Sequence, residues 1–66
     1  MKIGQKIKDL RIERGLNQRK LAAEIKVSQP TIAAWENAEN EPKATYIFRL
    51  ARFFGVSADY LLGLED

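Results

Sequence analysis

Two glutamines stand where a side-chain amide could recognise another molecule. Gln18 and Gln29 each lie at the beginning of a stretch whose apolar residues recur with helical spacing. An amide carries both a donor and an acceptor, so it can pair with N6 and N7 of adenine at the edge of a base pair. The alternative is that both are ordinary surface glutamines.

Two cations follow Gln18 at positions that do not favour positive charge. Arg19 and Lys20 fall in the first turn of the expected helix, where the helix dipole opposes cations and a capping box would have Glu or Gln. A phosphate beside this helix start would explain both residues. A solvated helix end is the other explanation.

The charges of the chain are unevenly divided. Residues 1–35 carry eight Lys and Arg against three acids, whereas residues 36–66 carry three against six. A basic half on a small domain indicates an anionic partner, of which nucleic acid is the first candidate. A merely solvated surface would look the same by charge alone.

The composition excludes several classes of protein. The 66 residues contain no Cys and no His, which removes disulfides, thiolate metal sites, cysteine nucleophiles and the usual neutral-pH general base. Hydrophobic residues make up 45% and charged residues 30%, which is typical of a globular chain. No apolar run could span a bilayer or form a signal core. We therefore expect a cytoplasmic protein with no cofactor, no metal, no small-molecule substrate and no membrane partner.

The elements that must position these residues are all helical. Apolar residues recur at steps of three and four, and no alternating strand pattern occurs. The sequence predicts an all-α fold, one compact five-helix domain over residues 1–66, with a polar loop over 36–43. The expected apolar faces are Ile3, Ile7 and Leu10; Leu21, Ala22 and Ile25; Ile32 and Trp35; Ala44, Ile47, Ala51 and Phe54; and Tyr60, Leu61 and Leu62. The expected N-caps are Asn17, either Ser28 or Gln29, and Ser57, and the expected helix ends are Gly15, Gly55 and Gly63.

Residues 17–37 have the layout of a helix-turn-helix. Two helices of about eight residues are joined by a turn of about three, residues 26–28, and in such a unit the second helix enters the DNA major groove. Ala22 is small, as a close helix crossing requires. Trp35, three residues after Ile32, is predicted to lie in the core rather than to stack on a base.

The longer pattern resembles the Cro and phage-repressor type of helix-turn-helix, the Xre-like family. The resemblance covers nearly the whole chain and implies sequence-specific binding of double-stranded DNA, usually repression of transcription, and often dimers on palindromic operators. It also implies that Arg11 pairs with Glu36, and that one of Gln18 and Gln29 touches the DNA backbone while the other touches a base. The matching residues are Arg11, Leu16, Asn17, Gln18, Leu21, Ala22, Ile25, Val27, Ser28, Gln29, Ile32, Trp35, Glu36, Asn37, Pro42, Leu50, Ala51, Gly55, Val56, Ser57, Asp59, Tyr60, Leu61 and Leu62.

Three positions depart from the family pattern. Lys26 stands where the turn usually has a left-handed glycine, and Ala38 replaces the usual helix-ending glycine. Glu39 occupies a place where a basic residue is common. A non-glycine residue kept in the left-handed conformation costs about 1 kcal/mol.

The predicted DNA-binding residues gather at the starts of the second and third helices. Ala34 could touch a thymine methyl, and specificity would otherwise depend on Gln29 and DNA shape. The full predicted set is Asn17, Gln18, Arg19, Ser28, Gln29, Pro30, Thr31, Ala34, Asn37 and Lys43.

The fourth helix carries more large side chains than one small core needs. Tyr46, Arg49, Leu50 and Phe53 form a second stripe. Either Tyr46 and Phe53 are half-exposed, which is common, or they belong to a dimer interface near Phe53 and Asp59, as the resemblance implies.

The sequence therefore leads to a DNA-binding transcriptional regulator of phage or mobile-element type, and to two alternatives. One is a protein-interaction module, such as an antitoxin-like helical partner, which Glu39 and Glu41 would suit. The other is an enzyme, which would need a pocket that so short a chain can hardly build. The ending of the sequence, residues 62–66, would suit a linker into a second domain.

Overall fold

The computed structural model describes residues 2–65 and contains five helices within that range. They are α1 (Ile3–Glu13), α2 (Gln18–Ile25), α3 (Gln29–Glu36), α4 (Ala44–Phe54) and α5 (Ala58–Leu61). No strand occurs among the described residues, so the predicted all-α fold with five helices is confirmed. In the same part of the chain, no helix has the length and apolar character needed to cross a membrane.

Side-chain caps begin three of these helices. Each cap oxygen accepts a hydrogen bond from a backbone N–H that the first helical turn leaves without a partner. Of the two candidates for the start of α3, Ser28 is the cap and Gln29 is the first helical residue. The cap bonds are Lys20 N to Asn17 Oδ1 at 2.8 Å, Thr31 N to Ser28 Oγ at 3.3 Å, and Tyr60 N to Ser57 Oγ at 2.9 Å.

Two helix ends use a left-handed backbone at a residue other than glycine. Lys26 closes α2 with φ 67° and ψ 46°, and Ala38, which follows α3, has φ 59°. The Val27 N–H donates to the Ala22 carbonyl at 2.9 Å across the Lys26 turn. The turn between α2 and α3 is therefore the glycine-type turn, built with a lysine.

Replacing Lys26 with glycine is expected to stabilise the protein by about 0.5–1 kcal/mol. Glycine removes the left-handed penalty of about 1–2 kcal/mol that Lys26 carries in the folded state. It also increases the conformational entropy of the unfolded chain, which lowers stability by roughly 0.4–1 kcal/mol. Thermal unfolding followed by circular dichroism should show a melting temperature higher by about 4 °C.

Lys8→Gly is the matched control for this substitution. Lys8 is also exposed but lies inside α1, where glycine costs about 1 kcal/mol of helix stability. The two variants should change the melting temperature in opposite directions. A lower melting temperature in both would mean that Lys26 does not carry the left-handed strain.

The core lies between all five helices. Trp35 is only 4% exposed, as its spacing predicts. Val27, Tyr46, Ile47, Phe53, Val56, Tyr60 and Leu62 pack around the core as partly buried residues. The buried hydrophobic residues of the core are Ile3, Ile7, Leu10, Leu21, Ala22, Ile25, Ile32, Trp35, Leu50, Ala51, Phe54 and Leu61.

The buried face of α4 agrees only in part with the predicted one. Ala51 and Phe54 are buried as expected, but Ile47 is half-buried and Ala44 is exposed. Leu50, assigned by its spacing to a second stripe, is fully buried. Because α4 packs against α2 and α5, its second half buries Leu50, Ala51 and Phe54, whereas Tyr46 and Ile47 in its first turn pack at the edge of the core.

The loop predicted over residues 36–43 begins one residue later than expected. Glu36 is the last residue of α3 and Asn37 is its C-cap. The Asn37 N–H donates to the Ala33 carbonyl at 2.9 Å, which continues the helical bonding past Glu36. The position of the Glu36 side chain is therefore set by helix geometry rather than by the loop.

Gly4 lies where α1 crosses α3. A Cβ at this position would overlap the Trp35 carbonyl oxygen and would approach the Trp35 carbonyl carbon at 3.1 Å and the Glu36 Cα at 3.3 Å. The neighbours are backbone atoms, which cannot rotate away as a side chain can. The absence of a side chain at Gly4 therefore allows α1 to pack directly on the end of α3.

Candidate nucleic-acid interface

The N-terminal ends of α2 and α3 meet through their two glutamines. Gln29 Nε2 donates to Gln18 Oε1 at 2.7 Å. Gln29 is exposed and Gln18 is half-buried, so Gln29 is the outer member of the pair. The crossing of α2 and α3 therefore brings together two amides that are eleven residues apart in the sequence.

An ion pair lies directly behind these glutamines. Arg11 Nε donates to Glu36 Oε2 at 2.7 Å and Arg11 Nη2 donates to Glu36 Oε1 at 3.0 Å. The side chains are 13% and 2% exposed, respectively. The hydrogen bonds and negative charge of Glu36 raise the pKa of Arg11 above its ordinary value, although burial acts in the opposite direction. The guanidinium of Arg11 therefore stays charged. The pair implied by the family resemblance is present, and it is bidentate, because Arg11 donates to both carboxylate oxygens of Glu36.

Arg11 also joins α1 to the loop before α2. Its Nη1 donates to the Leu16 carbonyl at 2.8 Å, and the Leu16 N–H donates to the Arg11 carbonyl at 3.1 Å. The side chain of one residue thus holds the chain segment that leads into α2 and the carboxylate at the end of α3. Neither contact to Leu16 was predicted from the sequence.

The ion pair and the two glutamines form one continuous chain of hydrogen bonds. Gln18 Nε2 donates to Glu36 Oε1 at 3.0 Å, so Glu36 accepts three bonds from two side chains. We call the series Arg11, Glu36, Gln18 and Gln29 the amide relay. It runs from the part-buried interior to the exposed start of α3.

The surface around the relay has no acid in the first turn of either helix. Arg19 and Lys20 are exposed in the first turn of α2, and α3 likewise starts without an acid. Unpaired N–H groups and the positive ends of two dipoles add to these side-chain charges. Charges and helix ends of this kind favour an anion such as phosphate, which stays a prediction here.

The remaining predicted contact residues divide into two groups. Asn17, Ser28 and Thr31 are used within the protein, because Asn17 and Ser28 cap helices and Ser28 Oγ lies 2.8 Å from Thr31 Oγ1. Because the hydroxyls of Ser28 and Thr31 bond to each other, they offer fewer hydrogen-bonding groups to an external ligand than the sequence suggests. The others keep different degrees of exposure: Pro30, Asn37 and Lys43 are exposed, and Ala34 is half-buried.

The residues predicted for a dimer interface lie on α4 and α5. Tyr46 is half-buried, with its ring 5.6 Å from that of Trp35 and 5.3 Å from the guanidinium of Arg49. Phe53 is half-buried and packs edge-on against Phe54 at 5.1 Å. The last of the three, Asp59, is exposed in the first turn of α5.

Sequence reasoning missed the most exposed aromatic ring of the described residues. Phe48 is 60% exposed, and the guanidinium of Arg52 lies 5.6 Å from its ring. Both line an open groove of about 350 Å³ together with Glu24, Ile25 and Lys26. Phe53 lines the same groove. The available signal was that Phe48 lies five residues before Phe53, outside the spacing of three or four that would stack the two rings on one face of the helix.

The chain is similar to proteins that regulate transcription. A family model described as Helix-turn-helix matches residues 7–61. The cryptic phage CTXphi transcriptional repressor RstR of Vibrio cholerae is 45% identical over 51 residues, which cover 77% of this chain and 46% of that protein. The HTH-type transcriptional activator BcrR of Enterococcus faecalis is 32% identical over 66 residues, which cover 100% of this chain and 32% of that protein. The chain thus spans less than half the length of either relative.

A solved structure shows the same fold bound to DNA. The P22 c2 repressor in complex with synthetic operator 9T superposes with a TM-score of 0.86 and 30% sequence identity, and the match covers 92% of both chains. The likeness extends over nearly all of the helices described above.

Proposed function

We propose, because this chain belongs to the helix-turn-helix family, that it binds double-stranded DNA in a sequence-specific way and regulates transcription, as a regulator of phage or mobile-element type. The observation that carries the proposal is the joint start of α2 and α3. It combines an exposed amide, two exposed cations and two helix N-termini without acids. The repressor similar in sequence and the repressor solved on its operator support this function.

The contacts divide by what each can recognise. Arg19, Lys43 and the N–H groups at the start of α2 would bind phosphates and position the domain. Gln29, exposed at the first position of α3, would read a base edge in the major groove. Ala34 and Thr31 would contribute apolar contacts, and Asn17, Gln18, Ser28, Pro30 and Asn37 would line the same surface.

Arg19→Ala and Gln29→Ala are expected to weaken DNA binding in different ways. Arg19→Ala removes a cation that displaces a condensed counterion, so it should weaken binding to every sequence and flatten the slope of log affinity against log salt by about one unit. Gln29→Ala should cost about 1–3 kcal/mol on the preferred site, cost little on scrambled DNA, and leave the slope unchanged. Fluorescence anisotropy over a salt series would measure both, on a duplex selected from a random pool and on its scrambled counterpart.

Arg52→Ala is the matched control. It removes the same charge but lies beside Glu24, Ile25 and Lys26, at the opposite end of α2 from Arg19. Its salt slope should equal that of the parent. Equal weakening of both duplexes by Gln29→Ala would show that α3 is not the reading helix.

The assembly on DNA is also part of the proposal. We propose that residues 1–66 form one DNA-binding domain and that the protein acts in the cytoplasm. We also propose that it binds a palindromic operator as a homodimer, with Phe53, Tyr46 and Asp59 near the contact between the two copies. The half-exposed rings of α4 support it. Two-fold symmetric half-sites spaced by about one helical turn of DNA in the selected sequences would indicate the dimer. One relative is named as a repressor and another as an activator, so the direction of regulation is decided by measuring transcription.

A protein-interaction module is the second candidate, and the groove beside Phe48 favours it. An exposed ring flanked by Arg52 and Arg49 suits an acidic peptide with an apolar side chain. If the parent shows no salt-dependent binding to any DNA but binds such an acidic peptide, the result would favour an interaction module, such as an antitoxin-like helical partner, over DNA recognition.

A further inference from the structure

We propose that the open groove between the end of α2 and α4 binds an acidic segment of another protein, which buries one apolar side chain against Phe48. The groove is used beside DNA rather than in place of it, and the inference does not depend on the proposed DNA-binding function. The groove has a volume of about 350 Å³, and residues 24–26 line one side of it.

The floor of the groove is apolar, and the core holds it in place. Ile25 is only 2% exposed, and the half-buried Phe53 packs edge-on against Phe54 at 5.1 Å. Phe48, by contrast, is 60% exposed, and the guanidinium of Arg52 lies 5.6 Å from its ring. A fixed apolar floor beside an exposed ring is the kind of surface on which a partner buries an anchoring side chain.

The rim of the groove is positively charged. Lys26, Arg49 and Arg52 line it against a single acid, Glu24. Within residues 2–65, no carboxylate forms an ion pair with any of these three cations. Arg49 Nη1 donates to the Ile25 carbonyl at 3.2 Å, which leaves the other donors of its guanidinium for a ligand. The charge of the rim therefore complements carboxylates.

The fold itself does not require the lysine on this rim. Lys26 has φ 67° and ψ 46°, a conformation in which glycine would be more stable. Backbone strain of this kind points to a role for the side chain other than folding. Because Lys26 is exposed and lines the groove, supplying positive charge there is the role that the structure offers.

An acidic protein segment fits this surface better than a nucleic acid does. Single strands are held by successive aromatic rings on which neighbouring bases stack. The groove has one largely exposed ring, and the rest of its apolar floor lies too deep for stacking. A peptide uses both features, because its carboxylates accept from Arg49 and Arg52 while its apolar side chain contacts Phe48.

The groove is separate from the proposed DNA surface. Lys26 is the C-cap of α2, whereas Arg19 lies in its first turn. The eight residues of α2 separate its two ends by about 12 Å. A peptide in the groove and a duplex at the starts of α2 and α3 therefore use different side chains.

A display library of random short peptides, selected on the whole chain, tests the proposal. The selected peptides should combine acidic residues with one large apolar residue. The strongest binder, synthesised with a fluorescent label, should bind less tightly when serine replaces its apolar residue or when amides replace its acids. Fluorescence anisotropy measures each Kd.

Phe48→Ala is expected to raise the Kd of this peptide by roughly 10- to 100-fold, as the loss of an aromatic anchor does. Ile12→Ala is the matched control, because Ile12 is 57% exposed but lies on α1, away from the groove. Its Kd should equal that of the parent. Both side chains are largely exposed, so both variants should fold, which circular dichroism checks.

Two arginines distinguish the groove from the DNA surface. Arg52→Ala should raise the peptide Kd by roughly two- to fivefold and leave DNA binding unchanged, whereas Arg19→Ala should do the reverse. At physiological salt, a saturating duplex should change the peptide Kd by less than about twofold, because the two sites lie more than a Debye length apart. Displacement of the peptide by DNA, with a loss in Arg19→Ala, would place the peptide on the DNA surface and overturn the proposal.

Lys26→Gly separates binding from stability. It is expected to raise the melting temperature, yet it should also raise the peptide Kd by roughly two- to fivefold. Lys26→Arg keeps both the charge and the left-handed backbone, so it should bind like the parent. A variant that is more stable and binds less tightly is not explained by damage to the fold.

Three further results would overturn the proposal. They are a selection that yields no acidic peptide dependent on Phe48, a single-stranded oligonucleotide that binds more tightly than any peptide and is lost in Phe48→Ala, and self-association of the chain that Phe48→Ala abolishes. A parent that binds the peptide as expected but binds no duplex would overturn the proposed function and leave the groove as a peptide site.

Discussion

Replacing Arg11 by methionine alone is expected to destabilise the fold by about 3–5 kcal/mol, more than replacing Arg11 and Glu36 together. The single change leaves a carboxylate that is 2% exposed without its two strongest donors. A chain of this length is stable by only roughly 3–10 kcal/mol, so the single variant should be partly unfolded at moderate temperature. Urea unfolding followed by circular dichroism would measure the loss.

The double variant Arg11→Met with Glu36→Leu is the decisive comparison. It removes the unpaired charge and fills the same space with apolar atoms, so it should recover at least about 1 kcal/mol relative to Arg11→Met. Recovery should be incomplete, because the Leu16 carbonyl still loses its bond from Arg11. A double variant no more stable than the single one would show that the two residues are not energetically coupled.

Gly4→Ala is expected to destabilise the protein by about 3 kcal/mol, the upper end of the usual cost of overpacking. Inside an exposed helix this change gains about 1 kcal/mol of helix propensity, so propensity alone predicts the opposite sign. At Gly4 the added Cβ meets the carbonyl oxygen of Trp35, and α1 must move away from α3 to admit it. Overpacking of this kind loses the burial of the core residues that both helices share. The melting temperature and the urea midpoint should both fall.

Gly15→Ala provides the matched control. A Cβ at Gly15 meets nothing within 4 Å, but the residue has φ +68°, so alanine pays only the left-handed penalty of about 1–2 kcal/mol. Gly4→Ala should therefore be clearly the more damaging variant. Equal losses would mean that α1 and α3 tolerate a wider separation than the close crossing implies.

Local signals predicted most helix boundaries and part of the candidate site. Asn17 and Ser57 were correctly assigned as caps, because a cap bond joins residues only three positions apart and depends on little else. The left-handed turn at Lys26 was implied by the family resemblance rather than by the spacing, and the structure confirms it with φ 67°. Gln29 could be assigned to a helix start by local signals, whereas its bond to Gln18 could not.

Tertiary structure decided everything that depends on how the helices cross. The spacing of α4 allowed two apolar faces, and only its packing against α2 and α5 selected Leu50 over Ala44 for the core. Within α1, nothing distinguishes Gly4 from any other helical glycine. Its requirement for glycine comes from the Trp35 backbone of α3, which lies against it. The bond from Gln18 to Glu36 joins residues 18 positions apart, and it forms because α2 and α3 cross closely. Periodicity and caps act within one helix and fix its limits. The direction in which each helix turns its side chains is fixed only when several helices bury their apolar faces together, and that common burial also orients the amides.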